Sequence, residues 1–182
     1  MKTINHIRRQ SGIALITGLI FLVVLTLLGV TAMRATSLEE RMAGNMRDRN
    51  LAMESASACL RDAEADIKNS GRIDGLTATG VIGVSGPNSS AACKNGFCYN
   101  GTAGFASPVW QTFSLTASPS VEYGTYTAAG DIGGVDADPR YLIEPFKKFL
   151  PGGNLAYFYR VTCRAVGANP STQVTLQEIF RP

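Results

Sequence analysis

Three patterns of hydrophobic and polar residues follow one another along the chain. Residues 13–33, IALITGLIFLVVLTLLGVTAM, carry no charge and are closed by Arg34. At ~1.5 Å per residue this run makes a helix about 31 Å long, which matches the hydrocarbon thickness of a bilayer. Residues 34–68 then mix charges with apolar positions at a helical period. Met46, Met53, Leu60 and Ile67 recur every seventh residue, and Met42, Ala56 and Ala63 fill the adjoining row. The spacing predicts an amphipathic helix that continues the apolar one, with its methionine-rich stripe packed into a domain core. Gly44 lies inside this stretch, at a cost of ~1 kcal/mol relative to alanine, and marks a place for local loosening.

The third pattern belongs to strands and turns. Residues 69–108 are rich in Gly, Ser, Thr, Ala and Asn and read as a long irregular connection, with one short strand at most, near Val81-Ile82-Gly83-Val84. Strand signals then fall at residues 109–115, near Tyr126, at 141–144, at 155–166 and at 172–180. The last two flank Gly167-Ala168-Asn169-Pro170-Ser171, whose glycine and Asn-Pro favour a turn, so they form an antiparallel hairpin. In the first of the pair Tyr159, Val161, Cys163 and Ala165 share one face, and Arg160, Thr162 and Arg164 share the other. The arginines mark an outer face, which turns Cys163 toward the helix. The fold class is therefore α+β, a long helix against a C-terminal antiparallel sheet. The organisation is a leader at 1–12, an apolar helix at 13–33, an amphipathic half at 34–68, and a loop and sheet at 69–182 forming one globular domain with the helix.

Charge and composition remove function classes rather than add them. Of 17 Lys and Arg residues, Lys2, Arg8 and Arg9 precede the apolar run, and the remainder balances the 14 Asp and Glu. That gives no electrostatic case for direct nucleic-acid binding. The one histidine, His6, also lies in the basic leader, on the side that positive charge holds in the cytoplasm. An exported domain would then have no histidine for a Ser-His-Asp or Cys-His site or for a mixed zinc site. No phosphate loop, nucleophile elbow or metalloprotease motif is present, so neither an enzyme nor a cofactor is expected.

The apolar run alone fits a single-pass anchor, and Val30-Thr31-Ala32 offers the small residues of a signal-peptidase site, although the run exceeds the apolar core of a secretory signal. The junction Arg8-Arg9-Gln10-Ser11-Gly12 followed by Ile13-Ala14-Leu15-Ile16 resembles a prepilin. The pieces Leu38-Glu39-Glu40-Arg41-Met42-Ala43-Gly44-Asn45 and Leu60-Arg61-Asp62-Ala63-Glu64, together with VGANPSTQVTLQEIF at 166–180, resemble the PilX family of type IV pilus minor pilins. The resemblance implies the type IV pilin fold, cleavage after Gly12 by a prepilin peptidase and N-methylation of Ile13. It implies an inner-membrane single-pass subunit with a periplasmic domain, later placed in the pilus. Its expected partners are other minor pilins, the major pilin and a tip adhesin, in twitching motility, adhesion or DNA uptake. Ordinary pilins carry a glutamate at the fifth residue after the cut, which pairs with a neighbour's terminal amine; here that position is Thr17. A subunit without that carboxylate suits the start of a filament, at or near the tip. The same substitution occurs in one class of type II secretion pseudopilin, which remains an alternative, as does a membrane-anchored periplasmic binding protein that never polymerises.

Cys59, Cys93, Cys98 and Cys163 all follow the apolar helix, on the side where an oxidising compartment lets them pair. Three connectivities exist. Cys59 on the helix and Cys163 on the inward strand face favour one bond, leaving Cys93 with Cys98; the two other patterns and free thiols stay open. Asp131, Asp136 and Asp138 gather in a glycine-containing loop, a calcium candidate without the spacing of an EF-hand, for which a solvated turn is the plainer reading.

Overall fold

A computed structural model describes residues 11–72, 92–99 and 108–182. One α-helix, α1, runs Ser11–Asn69, a stretch without proline whose four glycines, Gly44 included, do not interrupt it. The loosening expected at Gly44 is therefore not seen as a break. Glycine at 71 adopts φ +67 and the Ser70 amide donates to Asp66 O, which ends the helix in the usual left-handed turn. The strands are β1 Ala92–Lys94, β2 Phe97–Tyr99, β3 Val121–Glu122, β4 Arg140–Phe149, β5 Leu155–Val166 and β6 Gln173–Phe180. The chain divides into two compact units, residues 1–45 and 46–182.

In the first unit the described residues, 11–45, are all helix. The second holds the sheet, in the order β1-β2-β4-β5-β6, with β3 pairing on β4. All pairings are antiparallel except β2 with β4. The α+β class follows. β4 and β5 make the longest ladder, from Arg140↔Arg164 to Phe149↔Leu155, and β5 returns into β6 through the expected turn.

From Met46 onward α1 covers one face of the sheet, where Cys59, Ala63 and Ile67 pack with Tyr141, Ile143 and Val161. The face that meets the sheet is made of small residues, Ala52, Ala56, Cys59 and Ala63, all fully buried. The expected stripe holds for Ala56, Leu60, Ala63 and Ile67 and is corrected for its methionines. Met42 and Met46 are each 65% exposed and Met53 43%, roughly a quarter turn away from the packed row. Seven-residue spacing picked out methionines because they are the more hydrophobic. Close approach of a helix to a sheet, and a cystine bridge between them, select small side chains instead.

The sheet's second face is also covered, by residues 108–116, with Val109 and Leu115 against Cys98 and Leu142. Residues 109–115 therefore do not form the expected strand: Val109–Gln111 is a 3₁₀ turn held by Thr112 and Phe113 amides on Val109 O. Nor is there a strand at Tyr126, which lies in a turn just after β3. The arginines of β5 do not mark a solvent face either, since Arg160 is only 5% exposed. The connection at 69–108 contains the unexpected hairpin β1–β2; the candidate strand at 81–84 lies outside the described residues.

Candidate functional site

Residues 13–33 present only apolar side chains and three threonines, and none of their side chains is buried. A hydroxyl among hydrocarbon tails must find its own acceptor. Thr17 Oγ1 donates to Ile13 O at 3.0 Å, with Ala14 O at 3.1 Å; Thr26 Oγ1 reaches Val23 O at 2.8 Å, and Thr31 Oγ1 reaches Leu28 O at 2.9 Å. Each polar atom is thus satisfied within the helix, and the segment carries no charge. It is the one helix among the described residues long and apolar enough to cross a membrane. Chemically it can insert in lipid or pack against other apolar helices, and it offers no group for proton transfer.

The second unit is built around clamps that hold loops to α1. Cys59 Sγ is bonded to Cys163 Sγ, Cα atoms 6.1 Å apart, tying the helix to β5. Cys93 is bonded to Cys98 across the β1–β2 hairpin, where the two residues are direct partners. Asp66, fully buried, accepts from Tyr141 Oη at 2.8 Å and from Arg72 Nε at 2.7 Å. Arg72 Nη1 goes on to donate to Asn95 O at 2.8 Å, and its guanidinium lies 3.9 Å from the centre of the Tyr126 ring. Burial works against the Arg72 charge, but the hydrogen bonds and charge of Asp66 prevail and hold it protonated; burial, then the Asp66 charge, push the Tyr141 hydroxyl up. Asp62 accepts from Gly124 N at 3.0 Å and from the Thr127 hydroxyl.

Asp48 grips the β5–β6 turn. Its carboxylate accepts the Ala168 amide at 2.6 Å and the Asn169 amide at 3.3 Å, and it is held below the usual carboxylate range by the Thr172 hydroxyl and by those amides. Gly167 is required there: a Cβ would stand 2.3 Å from Asp48 Oδ1 and 2.9 Å from Asp48 O. On the other face Arg160 Nε donates to Glu144 Oε2 at 2.7 Å, both side chains nearly out of solvent. Burial pushes the Glu144 carboxyl up against the opposing pull of Arg160.

The PilX N-terminal family model matches residues 11–61, and the model of the C-terminal part of the type IV pilus assembly protein PilX matches residues 85–182. The chain belongs to the PilX family. Curated proteins and solved structures gave no match. PilX membership makes this a type IV pilus assembly protein and gives the apolar helix and the sheet one assignment, because the two matches cover both.

Of the residues singled out in the sequence, Gly12, Ile13 and Thr17 lie at the start of α1, and a Cβ added at Gly12 would meet nothing within 4 Å among the described residues. The four cysteines form the two bonds just described, and no cysteine is free. Asp131, Asp136 and Asp138 are not brought together: no group of three metal-ligating side chains occurs among the described residues. Asp138 Oδ1 instead accepts the Ile132 amide at 2.9 Å, and the Asp136 amide donates to Gly167 O at 2.8 Å, so this loop is a turn fastened to the hairpin. Asp48, Asp62, Asp66 and Glu144 were missed. The signal for two of them was available: Asp62 and Asp66 stand one turn apart beside Cys59 and Ala63, and Asp66 shares a face with Cys59.

Proposed function

We propose that this PilX-family chain is a minor pilin that helps to start pilus assembly at or near the tip. Prepilin peptidase cuts after Gly12, Ile13 becomes the N-methylated first residue, and residues 13–33 hold the subunit in the inner membrane with its domain in the periplasm. The same segment then packs with other minor pilins and the major pilin, beneath a tip adhesin. The subunit supports twitching motility, adhesion and DNA uptake through the pilus, and it performs no catalysis. One observation carries the initiating role: the position of the usual pilin glutamate is Thr17, whose hydroxyl is spent on its own helix. A carboxylate there costs about 2.5–3.5 kcal/mol on insertion and is kept where it pairs with an incoming or preceding amine. A first subunit has no preceding amine to grip.

Thr17 equally suits a type II secretion pseudopilin, which is the second reading. Deleting the gene separates the two: loss of surface pili and twitching with secretion intact supports the pilin, and loss of protein secretion with normal pili overturns it. Immunogold labelling then tests position, since label confined to filament ends is expected and even label along the shaft contradicts the initiating role.

A further inference from the structure

Among the described residues β6 is the last strand of the sheet and pairs on one side only, with β5. Its register runs without a bulge from Tyr159↔Phe180 to Val166↔Gln173. Among the described residues no backbone group outside β5 hydrogen-bonds to it. Sheet edges of this length are normally guarded by lysine, proline, a bulge or a covering segment, because a row of unpaired N–H and C=O groups recruits other strands. Gln173–Phe180 contains neither lysine nor proline.

The side chains of β6 say what would fit beside it. On the face away from α1 stand Thr175, Gln177 and Ile179, all exposed and uncharged, with Ile179 56% accessible. On the α1 face stand Val174, Leu176 and Phe180, half covered, and among them Glu178. Glu178 Oε1 is buried and no amide, hydroxyl or cation among the described residues donates to it; the one side-chain hydrogen bond open to Glu178 is with the neighbouring Glu64 carboxyl. What faces it is Glu64 from α1, and its partner in β5 is Val161, which cannot donate. The cation nearby, Lys68, is 3.6 Å from Glu64 Oε2 and lies 4.6 Å from the Phe180 ring centre. Burial and the Glu64 carboxyl both push the Glu178 carboxyl up.

From these observations we infer that the free edge of β6 docks an extended segment of another pilus-assembly subunit, added as a further strand with a lysine or arginine opposite Glu178 and apolar residues on either side of it. The main chain of β6 recognises only another extended main chain. The Glu64–Glu178 pair sets the charge at one position, and Val174, Leu176 and Phe180 set the apolar ones. A second copy of β6 paired antiparallel about Glu178 is the wrong partner, because it sets carboxyl against carboxyl and places its nearest cation, Arg181, beyond the strand end. This inference rests on the reading of the chain as an assembled subunit.

The test places a benzophenone amino acid in turn at Thr175, Gln177 and Ile179 of the full chain in pilus-bearing cells, with Ala137 as surface control and Leu22 as assembly control. Adducts mapped by mass spectrometry should fall on alternate residues of one segment of a different pilus-assembly subunit, stepping in register with the probe. Glu178→Lys should lower their yield at least about tenfold, by setting like charges opposite each other, while the Cys59–Cys163 bond still forms. Thr175→Lys, on the solvent face, is the second variant and should lower the yield of the Gln177 probe by guarding the edge. Adducts to residues 73–91 or 100–107 of the same chain, to a second β6, or to scattered sites would overturn the inference. So would silence at β6 while Leu22 still gives adducts to other subunits. Silence at Leu22 as well would remove the assembled-subunit reading with it.

Discussion

Residues 13–33 and 46–69 belong to one helix, yet they meet their surroundings in opposite ways. The first stretch leaves every side chain outside and satisfies its hydroxyls on its own carbonyls, so it needs no particular neighbour. The second buries a narrow row of small residues and spends three carboxylates, Asp48, Asp62 and Asp66, on named partners in loops that α1 must hold. A surface that is uniformly apolar tolerates many partners and registers, whereas a row of small residues with fixed hydrogen bonds accepts one. This division fits the proposed function, in which the apolar half is first in lipid and then among other apolar helices.

The sharpest way to break the contrast is to cut the packed half loose. Cys163→Ser removes a cross-link spanning 104 residues, and should cost about 3–5 kcal/mol in urea unfolding of the detergent-solubilised chain. Cys98→Ser opens a bond spanning 5 residues, and should cost roughly half as much. Asp66→Asn leaves Arg72 and Tyr141 without their charged acceptor and should cost about 2–3 kcal/mol by the same measurement. Gly167→Ala forces the turn away from Asp48, for about 1–3 kcal/mol. Leu22→Ala, in the exposed apolar half, should leave the unfolding midpoint of the domain within about 0.5 kcal/mol.

A smaller effect concerns pH. Glu178 has its pKa raised above the ordinary 4.5 in the folded chain. The folded state therefore binds a proton more tightly than the unfolded one. Its stabilising contribution is full below 4.5 and is lost as pH rises through the raised value. Glu178→Gln should flatten the fall in stability on that side of pH 4.5, as read from urea midpoints across the acid range. An unchanged slope would assign the fall to other groups, Glu144 first among them, since burial raises it too.

The apolar helix and the β5–β6 hairpin were legible because each rests on local periodicity or turn chemistry; alternation put Cys163 opposite the arginines, and it does face α1 although Arg160 is covered rather than solvated. β5 and β6 begin and end within a residue of the expected positions. The packed face of α1 was legible only in part: Ala56, Leu60, Ala63 and Ile67 lie on it as expected, but hydrophobicity ranks Met46 and Met53 above Ala52 while the close helix–sheet approach favours the alanine. The 3₁₀ turn at Val109 was hidden for a related reason. Val109 and Leu115 are buried by covering the sheet rather than by joining it, and composition does not separate the two. The carboxylate clamps join residues up to 121 positions apart, a distance at which no sequence period operates.

The most direct test is the mass and first residue of the chain recovered from membranes and from sheared pili. A chain beginning at Ile13, methylated on its amine and present in both fractions, is the expected result. A chain beginning at Met1, or one absent from pili while retained in the membrane, would contradict the claim that residues 13–33 serve first as an anchor and then as part of a filament.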